Sequence, residues 1–234
     1  MVGKDKYCTT TKRLFRFTFS VGFFIDNKNI VFLFTLLSLT RPFYRTTQLI
    51  IIPDNQNFFD QTYFTPSMLG DGTIRFGPAF DHDFLLRVLD LQTKVLKLTA
   101  NTTDKNETIH LNDICLKPLS PDNNNCTVYS LLQYYQNSQD NLNKKYEDPI
   151  FDILYADYGS HFVTCAQAPN TMNDTIISLS CFGDFGAPIN PYMVLGNYTD
   201  NTYTEATALV ITIVIENSLD PAVIAKGLFI KDFF

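Results

Sequence analysis

The stretch "ATALVITIVI", Ala206 to Ile215, carries the strongest strand signal in the chain. It is rich in β-branched residues and apolar at odd and even positions alike. A strand that buries both faces has neighbours on both sides, which places it centrally in its sheet. Upstream, "QLIII" (Gln48 to Ile52) has the same character and is ended by Pro53-Asp54, so it reads as a second buried strand.

Between these strands the period changes. In Phe84 to Leu98, the residues Val88, Leu91, Val95 and Leu98 recur at helical spacing, with Pro78 ahead and the polar Asn101 to Asn106 stretch behind. Thr127 to Tyr146 reads as a second helix, with Val128, Leu131, Leu132, Tyr135 and Leu142 as its stripe and Thr127 at its cap. Asp54 to Gly77 shows no helical period and carries the turn-rich "SMLGDG"; Glu147 to Thr204 reads as a long irregular section. Asp220-Pro221 is a helix start, a cap followed by proline at the first helical position. Two strand-then-helix units around a cysteine-bearing excursion predict an α+β fold, a ferredoxin-like sandwich of helices on a mixed sheet with protruding loops. The strand that should follow the Pro221 helix has no residues left before Phe234, so the sandwich reads as truncated before its last strand. Its absence would leave an apolar sheet edge beside Leu209 to Ile215.

With 234 residues and 45% hydrophobic composition, the chain can build an ordinary core. Its formal charge of −6, without a basic cluster, excludes a nucleic-acid footprint. Residues 1–40 differ from the rest: a basic, phenylalanine-rich start is followed by the apolar run "IVFLFTLLSLT". That run is too short to span a bilayer as a helix, which takes about 20 residues. It reads as a degenerate signal or anchor, or as a non-native N-terminus, and the folded domain is assigned to residues 41–234.

Five N-x-Ser/Thr sequons, at Asn101, Asn106, Asn125, Asn173 and Asn197, point to the secretory pathway. The five cysteines fall as Cys8 alone, Cys115 with Cys126, and Cys165 with Cys181. Zinc needs short knuckles and histidines at ligand spacing, neither of which occurs, so two local disulfides in an oxidising lumen are the favoured reading. Closing the shorter loop would remove about 3 kcal/mol of unfolded-state entropy.

Catalytic constellations are sparse. Of the three histidines, His82 lies between Asp81 and Asp83 ahead of a helix, where carboxylates are favoured in any case. No nucleophile elbow, zinc-protease, P-loop or dinucleotide motif occurs, and no cofactor or metal is implied. The chain reads as a non-enzyme. "YGSHF" (Tyr158 to Phe162) is similar to the short signature of perforin-like pore formers, but "VTCAQAPNTMND" follows where that family continues with glycines.

A resemblance spans the chain from Pro42 to Thr212. "PFYRTTQLII", "FGP", "VLDLQ", "LTANTTDKNET", "DICLKPLSPDNNNCT", "YYQNS", "YADYGSHF", "CAQAPNTMNDT", "CFGDFGAPINPYMVLGNY" and "ATALVIT" follow in order. Together they resemble the middle lumenal domain of the Niemann-Pick type C intracellular cholesterol transporters, polytopic proteins with a sterol-sensing domain. The resemblance implies that both cysteine pairs are lumenal disulfides. It also implies an α+β domain on the lumenal side of late endosomes and lysosomes, where it receives the soluble lumenal sterol carrier of the same pathway on two protruding loops. By position these loops are Pro66, Ser67, Met68, Leu69 and Gly70, and Asp152, Ile153, Leu154 and Tyr155. Met68 and Leu69 stand where the family tends to show an aromatic and proline, and Asp152 and Ile153 where it often shows aromatics; an apolar tip is kept with different chemistry. The alternative class is a truncated remnant or a structural glycoprotein domain without a partner.

Overall fold

The computed structural model describes residues 18–26, 29–37, 44–65, 70–101, 108–148, 150, 153–174, 176–199 and 202–216. In chain order the elements are β1 (Thr18–Asp26), β2 (Asn29–Leu37), β3 (Tyr44–Ile52), β4 (Phe59–Thr65), β5 (Gly70–Phe76), α1 (His82–Leu96), β6 (Thr99–Asn101) and β7 (Thr108–His110). They continue with β8 (Val128–Tyr129), α2 (Gln139–Leu142), β9 (Tyr146–Asp148), β10 (Ile153–Ala156), α3 (Tyr158–Gln167), α4 (Pro191–Val194), β11 (Leu195–Gly196) and β12 (Ala208–Glu216). The class is α+β, as the order of strand and helix signals predicts, and every ladder among the described residues is antiparallel.

The two β-branched runs pair with each other. β12 lies against β3 from Leu209↔Ile51 to Glu216↔Tyr44, and its other edge takes β11 and β8. It is therefore central, and the edge expected to lie open beside Leu209 to Ile215 has ladder partners. Leu49 and Ile51 of β3 and Leu209, Ile211, Ile213 and Ile215 of β12 are buried on one face, in one core with Phe84, Leu85 and Val88 of α1. Each such side chain contributes about 1.5–3 kcal/mol of transfer free energy. The opposite face of β12 is also covered at Thr212 and Val214. β1 and β2, from the segment set apart in the sequence, form a hairpin whose second strand pairs with β3 from Ile30↔Ile52 to Leu36↔Thr46. Cys8 and the helix start at Pro221 lie outside the described residues, and no helix among the described residues is long and apolar enough to cross a membrane.

The helix expected over Thr127 to Tyr146 does not form. Val128–Tyr129 is strand β8, Leu131–Tyr135 is a 3-10 turn, and only Gln139–Leu142 is α-helical. All of Ser130 to Tyr135 are buried, so no polar face exists for a surface helix to present. Gln136 and Asn137 then both take positive φ (50° and 53°) and stop any helix. Gln136 Nε2 donates to the carbonyls of Ser180 (2.8 Å) and Phe182 (2.9 Å), which holds that geometry.

The loop "DICLKPLSPDNNNC" is shut by a disulfide between Cys115 and Cys126, with Cα atoms 5.4 Å apart. Both of its ends are also docked on β12: Leu116 N donates to Val214 O (3.0 Å), and Val214 N to Thr127 O (3.2 Å). Cys165 and Cys181 are bonded likewise, with Cα atoms 5.2 Å apart, joining the end of α3 to the segment beyond it.

Candidate docking surface

Two hairpins stand side by side. β4 and β5 pair from Phe59↔Phe76 to Thr65↔Gly70, which leaves residues 66–69 as the tip. This hairpin lies in the stretch that shows no helical period, and "FDQTYFT" alternates with strand period: Tyr63 is buried while Asp60 and Thr62 are exposed. β9 and β10 pair through Asp148↔Ile153 and Leu154↔Glu147, leaving 149–152 as a second tip. Of the residues placed at the loops by sequence, Pro66, Ser67, Met68, Leu69 and Asp152 lie outside the described residues. Gly70 opens β5, and Ile153, Leu154 and Tyr155 form the half-buried strand β10.

Aromatic contacts near the tips bring the hairpins together. The rings of Phe64 (β4) and Tyr155 (β10) meet edge-on with centroids 5.7 Å apart, and Tyr146 (β9) lies 5.0 Å from Tyr155. Phe64 is one residue from the end of β4 and Tyr155 two residues from the start of β10, so these ends of the two hairpin stems lie side by side. Ile150 within the second tip is 83% exposed and Tyr146 at its base is 55% exposed. A groove of about 660 Å3 runs along the flank, bounded by Phe64, Leu142, Ile153, Leu154, His82 and Lys144.

Below the tips, Tyr63 is 4% exposed and its hydroxyl donates to Asp157 Oδ1 at 2.6 Å. Asp157 follows β10 directly and caps α3, accepting also from Gly159 N (2.8 Å) and Ser160 N (3.2 Å). Ser160 Oγ returns a bond from Asp157 N (2.9 Å), completing a capping box. Burial first, then the Asp157 charge, raises the Tyr63 hydroxyl far above its ordinary value, so it remains a donor throughout the physiological range. Sequence reasoning missed α3 and this node, although Asp157 and Ser160 stand at the spacing of a helix cap.

"YGSHF" supplies the first turn of α3. His161 is fully buried, its Nδ1 3.0 Å from Asp174 Oδ2 and its Nε2 3.0 Å from Tyr134 O. Its ligand atoms cluster with those of Cys165 and Cys181, but both sulfurs are committed to the disulfide and cannot serve as thiolate ligands. His82 bonds Asn143 Oδ1 (2.9 Å), with Asp81 capping α1 through Phe84 N. Of the sequon asparagines, Asn125, Asn173 and Asn197 are exposed, Asn101 ends β6, and Asn106 lies outside the described residues.

The comparisons with known proteins agree on one family. The model of the NPC1 middle luminal domain matches residues 38–227. The chain belongs to the NPC1 middle luminal domain family. It is similar to NPC intracellular cholesterol transporter 1 of Sus scrofa, 44% identical over 177 residues, which is 75% of this chain and 13% of that protein. NPC1-like intracellular cholesterol transporter 1 of Homo sapiens is 36% identical over 181 residues, again 75% of this chain and 13% of the relative. NPC intracellular cholesterol transporter 1 homolog 1b of Drosophila melanogaster is 32% identical over 190 residues, 76% of this chain and 14% of the relative. The chain thus spans about an eighth of the curated relatives it matches.

Proposed function

We propose that this chain acts as the lumenal docking domain of a cholesterol transporter, receiving a soluble lumenal sterol carrier on its two hairpin tips in late endosomes or lysosomes. The observation that supports the reading is the contact of the β4–β5 and β9–β10 hairpins through Phe64 and Tyr155, which sets the two hairpin stems side by side. Two rigid stems presenting short tips suit protein recognition, in which a few apolar anchors supply most of the affinity. Ile150, almost wholly exposed, is such an anchor. Docking rather than catalysis is the role this reading assigns, and the buried His161, bonded to an internal carboxylate and a carbonyl, supports it. Sterol reaches the site aboard the carrier.

Pull-down of the carrier of the Niemann-Pick type C pathway in mildly acidic buffer tests the reading. Met68→Asp and Ile153→Asp are expected to abolish capture, since each places a charge in an apolar contact. Capture unaffected by both substitutions would remove the tips from the interface.

A further inference from the structure

We propose that Asp157, acting through Tyr63, is the positioning residue that locks the two tip-bearing hairpins into one fixed relation, so that a partner meets both tips already aligned. The inference rests on the docking reading above and adds what holds the docking surface in shape.

A single carboxylate oxygen makes the connection. Asp157 Oδ1 accepts from the Tyr63 hydroxyl of one hairpin and from two amides at the start of α3, while the Asp157 backbone continues from the last strand of the other hairpin. Three donors converge on one carboxylate oxygen at a helix N-terminus, where a carboxylate is favoured. The fit around it is close. A Cβ added to Gly159 would lie 2.7 Å from Tyr63 Oη and 2.9 Å from Phe76 Cζ, so the stem of the first hairpin rests directly on the helix backbone. Among the described residues the rings of Phe64 and Tyr155 also meet across the hairpins, edge-on, a contact that leaves sliding and tilting open. The hydrogen bond is the directional element. The first hairpin keeps a separate anchor in the core, Phe76 against Phe80, with Phe59 stacked on Phe76 inside the hairpin, so its presence does not depend on the node. Removing the Tyr63 hydroxyl therefore frees the relation between hairpins more than it unfolds either. A surface that must order itself on binding loses affinity through that ordering cost, and the loss falls mainly on the dissociation rate.

The test uses the full chain with Tyr63→Phe, Asp157→Ala and Asp157→Asn, read by backbone hydrogen exchange over 59–76 and 146–156 and by the kinetics of binding to the soluble sterol carrier. Tyr63→Phe and Asp157→Ala are expected to speed exchange in both hairpins while leaving β3, α1 and β12 unchanged, and to weaken binding about tenfold, mostly through faster dissociation. Asp157→Asn keeps an oxygen acceptor and should restore most of both readouts. Unchanged exchange in Tyr63→Phe would overturn the positioning role, as would faster exchange with unaltered carrier kinetics. Exchange that responds as expected in the variants, while the wild-type chain fails to bind the carrier, would sink the docking reading instead, with the coupling of the hairpins established. A variant that loses protection throughout would make Asp157 a general stability residue and also overturn the proposal.

Discussion

Gly77 lies where the chain passes under the segment leading into β12. A Cβ there would fall 2.2 Å from Ala206 O and 2.5 Å from Glu205 C, and Gly77 N donates to Thr204 O at 2.8 Å. Backbone cannot swing aside as a side chain can, so Gly77→Ala should cost about 3 kcal/mol, measured by urea unfolding. Gly72→Ala, at an exposed position of β5 where the nearest neighbour of the new Cβ would be Tyr63 O at 3.9 Å, is the control and should change stability by under about 0.5 kcal/mol. The buried tyrosines supply a second prediction. Burial is the leading cause that holds Tyr63, Tyr134, Tyr135 and Tyr158 above the ordinary phenol value. The sign follows from linkage: a group raised in the fold stabilises fully below its unfolded value and loses that contribution as pH rises. Stability from these groups should thus be level from acid to neutral pH and fall once pH passes about 10, as equilibrium unfolding across that range would show. Constant stability up to strongly alkaline pH would contradict it.

The elements show where sequence was legible. "ATALVITIVI" declares itself because burial on both faces leaves no polar alternation to confuse the period, "QLIII" because its β-branched run ends at Pro53-Asp54, and α1 because its apolar stripe, its Asp81 cap and Pro78 agree. The helix assigned to Thr127 to Tyr146 failed because Leu131, Leu132 and Tyr135 fit helical spacing while Gln133 and Tyr134, outside that stripe, are equally buried. What excludes the helix is distant: Ser180, Phe182 and Asp184 hold Gln136 and Asn137 in left-handed backbone, a tertiary effect absent from any local window. At this scale the Cys165–Cys181 disulfide is the element to test. It closes a separation of 16 residues and ties down α3, whose first turn carries the Asp157 node. Replacing both cysteines by serine should cost about 3 kcal/mol. Carrier binding should fall by more than the lost folded fraction accounts for, as titration at a temperature where the variant stays folded would show. Full affinity in that variant would refute the anchoring role.

For the whole molecule, family motifs give the loop positions 66–70 and 152–155 only as an expectation, while the geometry of the two hairpins has no signal in the sequence. Residues 59–76 and 146–156 are separated by 69 positions and meet through Phe64, Tyr155, Tyr63 and Asp157, none of which carries a local signal of contact. The opposite face of the sheet offers a rival surface, a concavity of about 520 Å3 among Tyr44, Ile50, Tyr129, Tyr192 and Met193. The measurement that decides between them is a hydrogen-exchange footprint of the soluble sterol carrier on this chain in mildly acidic buffer. The account predicts protection confined to 59–76 and 146–156, strongest toward 66–69 and 149–152. Protection centred on β3, β8 and the 190–194 segment, with both hairpins exchanging as in the free chain, would contradict it.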